Sequence, residues 1–187
     1  MSQVTREAIH QMAKDKSGEL VQLVSDIIRI PSENPTGTQR DVVNFVEQYL
    51  RDAGIAYEEV CSNPDFPCVL AKMGSDEGFS IILNGHLDVV PAGDRSQWDF
   101  DPFCGTVTDK HILGRGTSDM KAGVAGLLFA MKILKESGAE LKGNIRLHLV
   151  SDEESGGEYG STWLCENGYA DHADACLIAE PTSSNDI

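Results

Sequence analysis

Phe79-Ser80-Ile81-Ile82-Leu83-Asn84-Gly85-His86-Leu87-Asp88-Val89-Val90-Pro91 decides how the rest of this chain is read. Its apolar first part, Phe79 to Leu83, predicts a buried strand, and a histidine and an aspartate follow at i and i+2 where the apolar character ends. A sheet edge presents a metal ligand in this way. Residues two apart in an extended segment point the same way, so Asp88 is placed to orient the His86 ring or to accept its second N–H. A hydrogen-bonded structural histidine is an equal reading of this stretch taken alone.

Three further stretches extend the pattern. Leu113-Gly114-Arg115-Gly116-Thr117-Ser118-Asp119-Met120-Lys121 puts an aspartate at a glycine-rich turn opening a helix. Val150-Ser151-Asp152-Glu153-Glu154-Ser155-Gly156 ends another strand in adjacent carboxylates, and Ala179-Glu180-Pro181-Thr182 closes a third, Cys176-Leu177-Ile178. Each acid has a plain structural explanation: Asp119 as a helix-start acid, Glu153 and Glu154 as a solvated pair, Glu180 as a turn acid before proline. The four together point elsewhere, because strand exits gather at one rim of an α/β sheet and each of these carries a potential metal ligand.

Taken in order, His86-Leu87-Asp88-Val89-Val90-Pro91, Gly114-Arg115-Gly116-Thr117-Ser118-Asp119-Met120-Lys121, Asp152-Glu153-Glu154 and Glu180-Pro181-Thr182 resemble the motifs of the di-zinc aminoacylase and carboxypeptidase G family. That family includes acetylornithine deacetylases and succinyl-diaminopimelate desuccinylases. The resemblance runs from about Leu23 onward and is specific for the family, not for a substrate. It implies an α/β fold, a three-layer α/β/α mixed sheet of the zinc-peptidase type. It also implies a metal-dependent hydrolase that cleaves an amide bond in N-acyl amino acids or small peptides. Carried over by position, His86 binds one metal with Asp88 behind it, and Asp119 bridges two metals, often with a non-proline cis peptide after it. Glu154 then binds the second metal, Glu180 completes the first, and Glu153 is the general base. Consecutive side chains at a strand exit diverge, which suits one glutamate facing metal and its neighbour facing substrate. The implied cofactors are two zinc ions, with cobalt or manganese also compatible with imidazole and carboxylate donors. Water on zinc has a pKa near 7, low enough for Glu153 to take its proton and pass it to the leaving amine.

The chain departs from the family pattern in one respect. Family members resemble two-part enzymes of roughly twice this length, with a lid or dimerisation domain inserted after the Glu-Pro-Thr region. Residues 1–187 are therefore expected to be the N-terminal portion of the catalytic domain of a longer enzyme, without the lid. None of His10, His111, His148 or His172 sits in a motif that replaces the missing ligands. Weak or absent hydrolysis by this chain alone is expected, with a homodimer formed through the lid in the full enzyme. A non-catalytic metal-binding module and a two-metal aminopeptidase are the alternatives. Glu153, which a binding module does not need chemically, counts against the first.

Composition sets outer limits. The 187 residues predict one domain able to bury a core. With 30 acidic against 15 basic residues, a formal charge of −15 opposes binding to nucleic acid or anionic membrane. There is no bilayer-length apolar run, and the first twenty residues lack the apolar core of a secretion signal. Cys61, Cys68, Cys104, Cys165 and Cys176 form no C-x-x-C pair and leave an odd count, so reduced, mostly buried thiols in a cytoplasmic protein are expected.

Further out, Leu20, Leu23, Ile27 and Ile28 recur at helical spacing in a helix from Glu7 to about Ile30, ended at Pro31. Ser32-Glu33-Asn34-Pro35-Thr36-Gly37 reads as a turn-rich loop. Thr38 is the expected N-cap of a second helix that buries Val42, Val46, Tyr49 and Leu50 and stops at Gly54. Strands are expected over 56–60 and 68–72, with a turn at 75–78. The segment 91–103 is read as a surface loop with its aromatics tucked onto the domain, or as a wall of the substrate cleft. A short hairpin is expected around Asp109-Lys110, and an amphipathic helix after Asp119 carries Val124, Leu127, Leu128, Met131 and Leu134 up to Gly138. Backbone N–H groups at that helix start are expected to favour the ionised form of Asp119. In Asn144–Val150, Ile145, Leu147 and Leu149 share one face, leaving His148 on the other as a structural or surface histidine. A short helix is expected around residues 161–164.

Overall fold

The run around Ile81 and Ile82 forms strand β3 (Phe79–His86), and the computed structural model, which describes residues 4–182, sets it between two parallel neighbours. One is β6 (Gly143–Val150), the other β7 (Ala175–Ile178). On the far side of β6 lies β2 (Cys68–Gly74), antiparallel to it, followed by β1 (Tyr57–Val60), antiparallel to β2. The order is β1-β2-β6-β3-β7, a mixed sheet. Parallel pairing needs a crossover, supplied between β3 and β6 by helix α4 (Ala122–Ser137). Because β3, β6 and β7 run the same way, His86, the segment after Val150 and the segment after Ile178 all leave from one rim.

Helices α1 (Arg6–Asp15), α2 (Ser17–Ile28), α3 (Arg40–Asp52) and α4 cover one face. The core there includes Ile27, Ile28, Val42, Val46, Leu50, Val124, Leu128, Met131, Leu147 and Leu149, none measurably exposed. The opposite face carries a thinner layer, in which Leu164 of α5 (Trp163–Glu166) packs with Cys68, Leu70 and Val150, flanked by Trp163 and Tyr169. The expected α/β/α layering is present, with its second helical layer slight in this chain.

Several expectations shift locally. The helix read from Glu7 to about Ile30 is two helices broken at Lys16. Thr5 caps the first by accepting the Ala8 N–H at 3.2 Å, and the second opens on Ser17-Gly18, poor formers of a helix interior. Helix α3 opens at Arg40, whose N–H donates to the Thr38 hydroxyl at 3.2 Å, and Gly54 with φ 65° ends it. The region around Asp119 departs further: Asp119 and Met120 have non-helical backbone, their peptide bond is cis, and α4 opens only at Ala122. Asp119 is thus a loop residue, not the first-turn acid expected, because the chain first turns Met120 into the core.

His148 is buried on the face away from the main helices. Burial, with the Arg146 charge beside it, pushes its imidazole down to about 4, the behaviour of a neutral structural histidine. The 91–103 loop tucks its aromatics onto the domain: Trp98 packs on Val89, Ala92 and Phe103, and its indole N–H donates to the Ala92 carbonyl at 2.9 Å. Strands β4 (Thr106–Val107) and β5 (Ile112–Leu113) form the short hairpin. The cysteines correct another expectation. Only Cys68 is buried; Cys61, Cys165 and Cys176 are exposed, two of them on or beside the thinly covered α5 and β7. No described helix is long and apolar enough to cross a membrane.

Candidate metal centre

His86 is the last residue of β3, and its side chain is 1% exposed. Its Nδ1 lies 2.9 Å from the backbone carbonyl of Asp88, which fixes the ring and leaves Nε2 facing the rim. Around Nε2 stand Asp119 Oδ1 at 3.0 Å, Glu180 Oε1 at 3.2 Å and Glu153 Oε2 at 3.7 Å. Two groups of donor atoms, each mutually within 4.8 Å, share this histidine: His86, Asp119 and Glu180, and His86, Glu153 and Glu154. Asp119 and Glu153 are 56% and 52% exposed, so the cluster is open to a ligand from solvent.

Each donor arrives by a different route. Glu180 follows β7, with the Ala179 N–H donating to the Asn84 carbonyl at 3.2 Å. Glu153 and Glu154 follow β6 in a tight turn, and Glu154 Oε1 accepts the Val90 N–H at 3.1 Å. Asp119 is carried in by the kinked segment before α4, where the sulfur of the fully buried Met120 contacts the His86 backbone nitrogen at 3.1 Å. Lys121 anchors that segment. Completely buried, it donates from Nζ to the carbonyls of Ile27 at 3.2 Å and Ile30 at 2.6 Å, at the end of α2.

Asp88 does more than the sequence suggested. Its carbonyl and its carboxylate both face the His86 ring, with carboxylate Oδ1 3.5 Å from the nitrogen that the carbonyl approaches at 2.9 Å. The wholly buried carboxylate accepts the backbone N–H groups of Glu153 at 3.3 Å and Glu154 at 3.1 Å. It also accepts the Asn34 side-chain amide at 2.8 Å. Asp88 therefore sets the glutamate turn as well as the imidazole. The sequence reading missed Asn34 and Lys121, since turn chemistry and a charged residue before a helix give no sign that either is buried.

The electrostatics fit a cation. Burial pushes the Glu154 carboxyl up, as does the Asp119 charge; burial also raises Glu180, against relief from His86, with the Asp119 and Glu153 charges adding to the rise. Burial alone lowers the His86 imidazole, yet the hydrogen bond and charge of Asp88, with Glu180 adding, carry it up to about 9. One imidazole ringed by four carboxylates is a site whose repulsion a divalent cation relieves, and these nitrogen and oxygen donors are of the kind that zinc, manganese and cobalt take. The donor set fits the implied metals.

Residues 82–187, which carry His86, Asp88, Asp119, Glu153, Glu154 and Glu180, match the peptidase family M20/M25/M40. The chain belongs to this family. A probable succinyl-diaminopimelate desuccinylase of Staphylococcus aureus (strain MRSA252) is 37% identical over 166 residues, covering 89% of this chain and 40% of that protein. The N-formyl-4-amino-5-aminomethyl-2-methylpyrimidine deformylase of Bacillus subtilis (strain 168) is 32% identical over 177 residues, 92% of this chain and 41% of that protein. The crystal structure of human carnosine dipeptidase 1 superposes with a TM-score of 0.81 at 25% identity, over 92% of this chain and 40% of that one. This M20/M25/M40 chain thus spans about 40% of the length of the curated relatives it matches. Its mixed α/β architecture is that of the family's catalytic domains.

Proposed function

We propose that residues 1–187 are the N-terminal portion of the catalytic domain of a longer metal-dependent amide hydrolase. The observation that carries this reading is the convergence of three separate segments, bearing Asp119, Glu153-Glu154 and Glu180, on His86 Nε2 at one sheet rim. In this reading His86, Asp119 and Glu180 hold one cation, and Asp119 with Glu154 contributes to a second. Zinc is the favoured ion on its donors. When bound, the cations supply Lewis acidity toward a carbonyl and acidify a water. Glu153, exposed at the edge of the cluster, takes the proton from the attacking water and returns it to the departing amine nitrogen. Asp88 keeps the His86 tautomer fixed and the glutamate turn in register.

The substrate class we favour, N-acylated amino acids or small peptides, follows from the amide chemistry and from two relatives named for succinyl-diaminopimelate and for a dipeptide; a third is named for a formylated aminomethylpyrimidine, an amide outside that class. The formal charge of −15 disfavours polyanionic partners. A cytoplasmic location, and a homodimer formed through a lid domain outside this chain, complete the reading. The test uses the full-length protein loaded with zinc, against N-succinyl, N-acetyl and N-formyl amino acids, dipeptides and free-amine peptides. Metal-dependent amide hydrolysis is expected, falling about 10²–10⁴-fold in Glu153→Gln with metal content unchanged. Absence of turnover on every amide, or full activity in the Glu153→Gln variant, overturns the reading. The 187-residue chain alone is expected to be far weaker.

A further inference from the structure

The segment between α2 and α3 has the composition of an ordinary turn, yet it joins the segments that carry His86, Asp119 and the Glu153-Glu154 pair. Ser32 Oγ donates to the Leu87 carbonyl at 2.7 Å, the Val89 N–H donates to the Ser32 carbonyl at 3.0 Å, and the Asn34 N–H donates to the Val89 carbonyl at 2.9 Å. Glu33 Oε1 accepts the Ala92 N–H at 2.7 Å. Lys121 reaches the same junction through Ile30, bringing the Asp119 segment with it.

Asn34 is the centre of this junction. It is 2% exposed, and its Nδ2 donates both to Asp88 Oδ2 at 2.8 Å and to Ser155 Oγ at 3.0 Å. The Asp88 carboxylate is buried and accepts only, so its geometry is set by its donors. Oδ1 faces His86 Nδ1 and the Glu153 N–H; Oδ2 faces the Glu154 N–H and Asn34. Among the described residues, Asn34 is the one side-chain donor on Oδ2. Through its second proton it also grips the turn that carries Glu153 and Glu154. Removing it leaves a buried anionic oxygen short of a donor, and the carboxylate regains one only by moving, which shifts the imidazole and the glutamate turn relative to each other.

We propose that Asn34 is a positioning residue of the metal centre: its amide, touching neither metal nor substrate, locks Asp88 and so holds His86 and the Glu153-Glu154 turn at a fixed separation. This inference rests on the metal-centre reading above. The experiment takes the full-length protein stripped of metal and titrates it with Zn²⁺ against a chromophoric chelator, and with Co²⁺ followed by its visible absorption. Wild type is compared with Asn34→Ala and with Asn34→Leu, which keeps the branching and fills the site but has no donor. Both variants are expected to bind about 10–100-fold more weakly, the usual scale for a hydrogen-bond partner behind a ligand, with an altered Co²⁺ spectrum and unchanged far-UV circular dichroism. Wild-type affinity in either variant overturns the proposal; if Asn34→Leu alone binds normally, Asn34 only fills space. Loss of the fold in Asn34→Ala leaves Asn34→Leu to decide, and loss in both shows a general structural role and also overturns it. Failure of the wild type itself to bind metal removes the metal-centre reading instead.

Discussion

Adding one methyl group to Gly123, at the start of α4, is expected to disable the proposed metal centre without touching any of its donors. A Cβ on Gly123 meets the Ala179 carbonyl oxygen at 2.2 Å, with Ala179 Cβ at 3.0 Å and Ala179 C at 3.1 Å. Real Cβ contacts essentially never fall under 3.0 Å, so the two segments must separate by about 0.8 Å. Helix α4 is held by the completely buried Val124, Leu128 and Met131, whereas Leu177 and Ile178 beside the β7 exit are 46% and 58% exposed. The β7 exit is the part that moves, and Glu180 is the next residue. A ligand displaced by about 0.8 Å lies well outside the tolerance of about 0.2 Å on metal–ligand distances. Metal affinity is therefore expected to fall at least about tenfold. Stability changes less: overpacking costs about 1–3 kcal/mol, and exchanging glycine for alanine in a helix returns about 1 kcal/mol. Gly126, one turn on in the same helix, is the control, because nothing lies within 4 Å of its Cβ. Gly126→Ala should raise the thermal midpoint and leave metal binding intact, while Gly123→Ala lowers the midpoint and weakens metal binding in chelator-competition titrations. Gly123→Ala behaving like Gly126→Ala in both assays would refute the reasoning.

Three further outcomes follow from the site's charges and from metal binding. In the metal-free protein His86 is raised from 6.5 to about 9, so its protonated form favours the fold. That contribution, of order 3 kcal/mol, is fully present below about pH 6.5 and is lost as pH rises through about 9. The metal-free thermal midpoint should fall across that window, and His86→Gln should flatten the profile; a midpoint that climbs there contradicts the assignment. A metal must displace the same proton, so zinc affinity should increase with pH up to about 9. Chelating the metal should lower the midpoint of the loaded protein, by about 2.7 kcal/mol of stability when free metal had stood at 100 times its Kd; identical melting with and without chelator speaks against a resident metal.

Much of this was legible in the chain itself. The apolar runs before His86, Glu153 and Glu180 specify strands, and the stripe from Val124 to Met131 specifies α4, because the pattern with which side chains are buried is a local property of the backbone's repeat. Imidazole or carboxylate at three strand exits and at the turn before α4 then marked out the rim. What the sequence could not contain is which distant partner each polar group finds. Asn34 meets Asp88 and Ser155 across 54 and 121 residues, Lys121 meets Ile30 across 91, and Gly123 is pressed against Ala179. The non-helical backbone at Asp119 and Met120 and the break at Lys16 were likewise settled by packing, which overrides local preference where burial is at stake. Residue types and their spacing chose the strands, helices and donors; only the tertiary structure decided their separations, because buried hydrogen bonds and close backbone contacts join segments that the linear pattern treats as independent.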